Sequence, residues 1–243
     1  MASPSEHKAS ISEDLEPYFL EQMREFRIVL SIGLKGSGKT FCSLKYIKYM
    51  LEHEPNVYDK YLLVLPAFKY EQNDSYAWLK KYKKEVSIYP YYSPIIFEQL
   101  NAKQVALADK GKPLTKYFFL FDDCTSAGAT LFNIDEYLIK TIAECRHIQV
   151  GMWFNAHGAS KILPTVLRNN ADFIFIYTIS NGKLFESLFE EFFSMNCDDI
   201  KSAFKEFRQQ YRQHMKEKVY NSFMISIRNS TMDWNTREWK TFT

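Results

Sequence analysis

A glycine-rich segment at residues 33–40, with the sequence GLKGSGKT, constrains the fold of this chain more than any other feature. It matches the complete GxxxxGK[ST] pattern, in which backbone N–H groups surround phosphate oxygens. Residues 26–32 (FRIVLSI) are typical of a buried strand, and apolar residues recur with helical spacing over residues 40–52. This order of strand, loop and helix predicts a phosphate-binding loop, with the positive end of a helix beneath the phosphates.

The side chains of this loop predict ATP and Mg²⁺ as ligands. Lys39 is expected to contact the β- and γ-phosphates, and the Thr40 hydroxyl is expected to ligate Mg²⁺. The sequence contains no guanine-specifying NKxD motif, and no motif that we identify favours ATP over GTP. The residues expected to bind the nucleotide are Gly33, Lys35, Gly36, Ser37, Gly38, Lys39 and Thr40.

Two adjacent aspartates, Asp122 and Asp123, directly follow the apolar run YFFLF at residues 117–121. A carboxylate at the carboxyl end of a strand near the phosphate loop can anchor Mg²⁺, and we assign this role to Asp122. A second carboxylate at the next position can orient and deprotonate a water molecule, so we assign Asp123 as the general base. The pair therefore favours hydrolysis over transfer to a small acceptor.

Short apolar strands alternate with amphipathic helices over residues 21–180, which predicts an α/β fold with a mostly parallel sheet and helices on both faces. The strand at residues 61–65 falls between the two motifs. We expect it to insert between the two motif strands, as in the additional-strand (RecA-like) class of P-loop NTPases. Residues 86–97 give no clear prediction. Residues 1–20 are predicted to be a flexible arm, and residues 181–243 a C-terminal extension of two helices and a strand on the same domain.

Composition excludes several other classes of protein. A chain of 243 residues with 46% hydrophobic residues can bury the core of one α/β domain. Its aromatic share of 16% predicts an aromatic core, with stacking on nucleic-acid bases as the alternative. The net charge of +2 indicates no general basic coat, so DNA binding would need a local basic stripe. The four cysteines form no CxxC pair, which argues against a zinc ribbon or a disulfide scaffold. We expect no signal peptide and no transmembrane segment.

One further segment, residues 144–157 (ECRHIQVGMWFNAH), runs from a helix end along an apolar strand to a polar tip. Together with GLKGSGKT, FFLFDD and residues 162–172, it resembles the FtsK–HerA superfamily of DNA-pumping ATPases. The closest resemblance is to the viral genome-packaging branch of the poxvirus type. It covers roughly residues 26–180 and implies an ATP-hydrolysing motor for double-stranded DNA. It also implies a homo-oligomeric ring at the packaging vertex of a virion in the host cytoplasm, with capsid or portal-vertex proteins as partners.

The resemblance also implies roles for polar residues around this strand. Arg146 matches an arginine that acts in trans on the γ-phosphate of the neighbouring subunit, and a helix-terminal arginine that binds carbonyls is the alternative. Arg168 is a second candidate for this trans-acting arginine, which we call the arginine finger. The family usually has a glutamine sensor at the strand tip, where this chain has His157, with Asn155 two residues earlier. Either side chain can hydrogen-bond a phosphate or a water molecule, and histidine adds pH dependence.

The C-terminal region contains a basic stripe with helical spacing. A DNA backbone could lie on this stripe or on a second basic cluster, and a solvated helix face is the alternative for each. The stripe consists of Lys201, Lys205, Arg208, Arg212 and Lys216, and the second cluster of Lys80, Lys81, Lys83 and Lys84.

Two other functions are compatible with the motifs. A small P-loop kinase could use residues 86–112 or 181–200 as an acceptor lid, and it would not need Asp123 or Arg146. An ATP-gated assembly protein would bind ATP and hydrolyse it slowly. Stimulation of hydrolysis by DNA would distinguish the motor from both.

Overall fold

The computed structural model describes residues 17–65, 74–123, 135–157, 165–193, 199–216, 222–227 and 241–242. Within these ranges the chain forms one sheet of eight strands. The strands are β1 (Ile28–Ile32), β2 (Lys60–Val64), β3 (Val86–Tyr89), β4 (Tyr117–Asp122), β5 (Val150–Ala156), β6 (Phe173–Ile176), β7 (Ser222–Ser226) and β8 (Thr241–Phe242).

Helices occupy most of the connections between these strands. None of the described helices is long and apolar enough to cross a membrane. The helices are α1 (Pro17–Met23), α2 (Lys39–His53), a 3-10 helix (Asp74–Tyr82), α3 (Ile95–Ala108), α4 (Glu136–Glu144), α5 (Thr165–Asn170), α6 (Gly182–Phe193) and α7 (Ile200–Met215).

The strands lie in the order β3-β2-β4-β5-β1-β6-β7-β8 across the sheet. The first six strands in this order are parallel to one another. β7 and β8 extend the sheet beyond β6, and β7 is antiparallel to both of its neighbours. β5 separates the phosphate-loop strand β1 from the aspartate strand β4. Our expectation that residues 61–65 form this inserted strand is therefore wrong. All seven residues of β5 are buried, as a central strand requires, whereas β2 lies beyond β4 and starts at the half-buried Lys60.

Helices cover both faces of the sheet, as predicted. On one face, α1, α2 and the 3-10 helix pack against Val29, Trp153 and Phe175. On the other face, α3 to α7 pack against Leu30 and Phe154. Neighbouring residues of one strand serve opposite layers because side chains alternate along a strand.

Many of the aromatic residues form the core. The rings of Phe121 and Phe154 stack with centroids 4.5 Å apart, and those of Phe97 and Phe119 with centroids 4.8 Å apart. These rings cover one face of the central strands. Their abundance therefore reflects packing at these positions and requires no stacking on nucleic-acid bases.

The N-terminal boundary differs from the prediction for four residues. Residues 17–20 belong to α1, and Phe19 is fully buried. Its ring makes edge contacts with Tyr46, Trp153, Phe173 and Phe175, at centroid distances of 5.0–5.8 Å. Phe19 and Leu20 are therefore part of the core, because one aromatic side chain gains enough burial to hold a short helix in place. The rest of the predicted arm lies outside the described residues.

The C-terminal region extends the same sheet and the same core. β7 pairs with β6, and Leu188 of α6 and Phe207 of α7 are fully buried in the layer that also contains Phe154. Helix α7 ends at Met215, and residues 217–221 lie outside the described residues. The domain boundary after residue 180 stays a prediction.

The packing of Phe19 can be tested by unfolding in urea. Phe19→Ala is expected to lower the free energy of unfolding by about 3–5 kcal/mol, because it leaves a cavity among four rings. Phe41→Ala is the matched control, since Phe41 is 71% exposed and its loss should change stability by less than about 0.5 kcal/mol. Equal midpoints for the two variants would show that α1 does not contribute to the core.

Candidate nucleotide-binding site

The phosphate loop connects β1 to α2 at the carboxyl edge of the sheet. Gly36 and Gly38 have φ angles of 76° and 100°, in the region that favours glycine. Gly38 is the N-cap residue of α2, and among the described residues no side-chain cap bond is formed there. Gly33 allows a close approach, since a Cβ atom there would lie 2.6 Å from Cβ of Tyr177. The glycines thus have steric roles as well as a place in the motif.

A cavity of about 440 Å³ lies over this loop. It brings together six of the seven predicted nucleotide-binding residues, both aspartates and His157, whereas Gly33 lies beneath it. Phe41 also lines the cavity and is 71% exposed, although its spacing groups it with the apolar residues of α2. The lining residues are Lys35, Gly36, Ser37, Gly38, Lys39, Thr40, Phe41, Asp122, Asp123 and His157.

Lys39 lies at the floor of the cavity and is only 6% exposed. Its ammonium group donates hydrogen bonds to the carbonyls of Gly33 and Leu34, at 2.8 and 2.7 Å. The same Nζ atom lies 3.5 Å from Nδ1 of His157. The loop's own backbone therefore fixes the position of this positive charge.

Asp122 is almost completely buried and receives several hydrogen bonds. Thr40 Oγ1 donates to its Oδ1 atom at 2.6 Å, and Asn155 Nδ2 donates to the same atom at 2.9 Å. The Tyr76 hydroxyl donates to Oδ2 at 3.5 Å. Burial and the neighbouring carboxylate raise the pKa of Tyr76, so its hydroxyl stays protonated. These donors offset the cost of burying a carboxylate and fix its orientation.

Register explains the contact between Asp122 and Asn155, because the two residues are paired across β4 and β5. The Asn155 amide also donates to Ser43 Oγ at 3.0 Å, which connects β5 to α2. Its side-chain oxygen is buried and has no hydrogen-bond partner within the part of the chain that the structure describes. Such an oxygen needs a donor, and an ordered water molecule would provide one.

This arrangement fits Mg²⁺. The ion prefers oxygen ligands, and it is commonly bound through one or two protein oxygens, several waters and the phosphates of a nucleotide. Thr40 and Asp122 provide the protein oxygens, and the buried oxygen of Asn155 can accept from a coordinated water. Within the described residues, no cluster of three or more His, Cys, Asp or Glu side chains could hold a metal ion.

Asp123 and His157 form a second pair at the rim. Asp123 has a φ angle of 56°, a left-handed conformation that is uncommon for residues other than glycine. His157 Nε2 lies 2.9 Å from Asp123 Oδ1, and His157 Nδ1 lies 3.2 Å from the carbonyl of Gly33. The imidazole therefore bridges the phosphate loop and Asp123. Backbone strain of this kind concentrates at functional sites.

The two finger candidates lie away from this cavity. Arg146 Nη2 donates to Asp172 Oδ1 at 2.6 Å, and Asp172 also accepts from Arg27 Nη1 and from the backbone N–H of Ile28. Ile28 begins β1, so this ionic cluster lies at the amino edge of the sheet, about 16 Å along the strand from the start of the phosphate loop. Arg168 forms an ion pair with Glu191.

No family model and no curated protein sequence matches this chain. Its fold is similar to that of the DNA-packaging ATPase from Sulfolobus turreted icosahedral virus, with a TM-score of 0.57 at 13% identity, covering 89% of this chain and 97% of that one. The chain has the fold of a P-loop NTPase. The predicted α/β class with an additional strand is therefore confirmed.

Two other solved structures show the same fold. One is the genome-packaging NTPase from Sulfolobus turreted icosahedral virus 2 in complex with ATP-gammaS. It has a TM-score of 0.56 at 14% identity and covers 90% of this chain and 98% of that one. The other is the cytoplasmic domain of the type VII secretion ATPase EccC from Thermomonospora curvata, with a TM-score of 0.57 at 12% identity over 89% of this chain and 25% of that one. At such identities the likeness establishes the fold alone.

The close approach at Gly33 gives a test of the loop geometry. Gly33→Ala is expected to weaken binding of a fluorescent ATP analogue by about tenfold or more, because overpacking costs about 1–3 kcal/mol and displaces the loop. Gly182→Ala is the matched control, since an added Cβ there meets nothing within 4 Å. Wild-type affinity in Gly33→Ala would contradict the described contact with Tyr177.

Proposed function

We propose that this protein is an ATP-hydrolysing motor that moves double-stranded DNA and packages a viral genome into a preformed capsid. The observation that carries the proposal is the cavity in which Lys39, Thr40, Asp122, Asp123 and His157 converge. Two structures with the same fold are named as viral packaging enzymes, and they cover 89% and 90% of this chain. One of these was solved with an ATP analogue.

The floor of the cavity is suited to a nucleoside triphosphate. The ammonium of Lys39 provides the positive charge for the β- and γ-phosphates, and the N-terminal turn of α2 adds its dipole. Thr40 and Asp122 would hold Mg²⁺, which when bound supplies further positive charge next to the phosphates. Phe41 lies at the rim, where its exposed ring can pack against the nucleoside.

The rim provides the groups for hydrolysis. Asp123 is the proposed base, and the hydrogen bond from His157 orients its carboxylate. His157 lines the cavity and also contacts the phosphate loop, so a γ-phosphate there would be within its reach. Asn155 is buried behind Asp122. These contacts support His157 as the sensor and Asn155 as a residue that positions Asp122. They favour hydrolysis over the reaction of a small P-loop kinase, which would not need the Asp123 base.

A homo-oligomeric ring would complete the site. Ring interfaces place one surface of a subunit against a different surface of the next, so an arginine remote from its own cavity can reach a neighbour's. Arg146 is our proposed finger, and its side chain is 36% exposed despite the contact with Asp172. The ring would act at the packaging vertex of a virion in the host cytoplasm, against capsid or portal-vertex proteins.

Helix α7 is the proposed DNA-binding element. The five cations of its stripe, Lys201 to Lys216, are all exposed. Among the described residues, none of these five side chains forms an ion pair. A row of unneutralised cations can replace the counterions of a DNA backbone. The cluster at residues 80–84 is also exposed and provides a second surface of the same sign.

The decisive measurement is ATP hydrolysis with and without long double-stranded DNA, over a range of protein concentration. We expect DNA to stimulate hydrolysis, and specific activity to rise with protein concentration until rings form. Lys39→Ala should abolish turnover, and Asp123→Asn should bind Mg-ATP but hydrolyse it at least about 100-fold more slowly. Wild-type turnover by Lys39→Ala would contradict the site. An ATP hydrolysis rate that is the same with and without DNA would instead favour an ATP-gated assembly protein or a kinase.

A separate test addresses Arg146, with Asp172→Asn as the matched control. As a trans finger, Arg146→Ala should bind ATP normally yet hydrolyse it up to several orders of magnitude more slowly. Mixing Arg146→Ala with Lys39→Ala chains should restore activity, because one kind of boundary then contains an intact loop and an intact arginine. Asp172→Asn breaks the ion pair but keeps the arginine, so it should retain hydrolysis. Equal losses of activity in Asp172→Asn and Arg146→Ala would show that Arg146 acts only through Asp172, and Arg168 would become the candidate.

A further inference from the structure

A second cavity, of about 430 Å³, lies between α7 and the segment that follows β6. Three cationic side chains line it, those of Lys183, Arg208 and Arg212, together with the carboxylate of Glu186. All four residues are exposed. Among the described residues, none of the three cations forms an ion pair. With three cations and one carboxylate in its lining, the cavity carries a net positive charge.

The surroundings of this cavity indicate a polymeric anion. Arg208 and Arg212 are the middle members of the stripe from Lys201 to Lys216, which extends for about 22 Å along the helix axis. A single nucleotide needs its cations at one point, whereas a backbone of regularly spaced phosphates meets a row. Guanidinium groups also match phosphate oxygens in a two-pronged geometry. A DNA phosphate is thus the anion that best fits both the cavity and the row.

One side chain of α7 connects this cavity to the phosphate loop. The hydroxyl of Tyr211 accepts a hydrogen bond from the backbone N–H of Ile179 at 3.0 Å and donates to the carbonyl of Tyr177 at 2.9 Å. Burial raises the pKa of Tyr211, so this hydroxyl stays protonated and able to donate. Tyr211 lies on α7 between the two arginines of the cavity.

The same short segment is held from its other side by the phosphate loop. The N–H of Leu34 donates to the carbonyl of Thr178 at 2.9 Å, and Gly33 packs closely against Tyr177. Residues 177–179 therefore lie between α7 and the loop, with direct contacts to both. A displacement of α7 would reach the loop through three consecutive residues.

We propose that this cavity binds a backbone phosphate of double-stranded DNA, and that Tyr211 couples its occupancy to the phosphate loop. The proposal rests on the proposed motor function and assigns the place where DNA acts on ATP turnover. Arg208 and Arg212 hold the phosphate, and Lys183 completes the positive wall. Tyr211 also lines the cavity, but its hydroxyl is hydrogen-bonded to Ile179 and Tyr177, so we assign it as a positioning residue that acts through residues 177–179.

The binding half is tested by the salt dependence of affinity for a DNA duplex of about 30 base pairs, a length sufficient to span the stripe. Arg208→Gln/Arg212→Gln should bind at least about tenfold more weakly, and the slope of log affinity against log salt should become less negative by about 1 for each phosphate that the variant no longer neutralises. Lys110→Gln/Lys112→Gln is the matched control, since it removes the same charge from exposed positions after α3. Equal slopes in the two double variants would overturn the assignment.

A further arm distinguishes DNA from the phosphates of a neighbouring subunit's nucleotide. Ring formation with ATP-gammaS is measured by light scattering in the absence of DNA. Arg208→Gln/Arg212→Gln should form rings like the wild-type protein if the cavity holds a DNA phosphate. Loss of ATP-gammaS-dependent rings with unchanged DNA affinity would overturn the DNA assignment and place a nucleotide phosphate there.

The proposed coupling between the cavity and the phosphate loop is tested with Tyr211→Phe. This variant should bind the duplex with wild-type affinity, while the ratio of ATPase rates with and without saturating DNA should fall towards one. Thermal unfolding checks that the variant is folded. An unchanged ratio in folded Tyr211→Phe would overturn the coupling. A wild-type protein that binds DNA in this cavity but shows no stimulation would contradict both the motor function and the coupling, and would leave the phosphate site supported.

Discussion

The hydrogen bonds to the buried carboxylate of Asp122 connect three elements of the nucleotide site. Thr40 reaches it from α2 and Asn155 from β5, while Asp122 itself ends β4. Burying this carboxylate with fewer hydrogen-bond donors would destabilise the fold by several kcal/mol. The observed arrangement of donors is therefore energetically favoured once the strands are in place. The insertion of β5 between β1 and β4 therefore does more than complete the sheet. It supplies the amide that holds the acidic residue beside the phosphate loop.

Local patterns predict the parts of this site, but not their arrangement. The phosphate loop and the aspartate pair can be predicted from the sequence because each depends on neighbouring residues in a strand, a loop or a helix. The identity of the inserted strand cannot be predicted in this way, because the order of strands across a sheet depends on contacts between residues far apart in the chain. Our choice of residues 61–65 followed chain order, whereas β5, whose seven residues are all buried, occupies the position between β1 and β4. The pairing of Asp122 with Asn155 follows from that position.

Other differences arise where one side chain overrides a local pattern. Phe19 follows a polar, charged stretch, and its fit among four rings makes it part of the core. Phe41 has the spacing of a buried residue in α2, yet it lies at the rim of the cavity because the helix begins there. Residues 86–89 pair with β2 as a strand although aromatic and proline residues obscure their alternation. Each outcome depends on what packs against the segment.

In the ionic cluster at the amino edge of the sheet, the Arg146 side chain has two possible partners, Asp172 in its own subunit and a phosphate in a neighbouring one. A guanidinium that neutralises Asp172 within its own subunit cannot direct the same N–H groups at a neighbour's phosphate. If Arg146 serves the next subunit, closing a ring withdraws one donor from the buried carboxylate of Asp172, to which Arg27 and the Ile28 N–H also donate. Part of the interaction energy gained at each boundary would be offset inside the subunit that supplies the arginine. Such a ring would open and re-close more readily than its contact area alone would indicate.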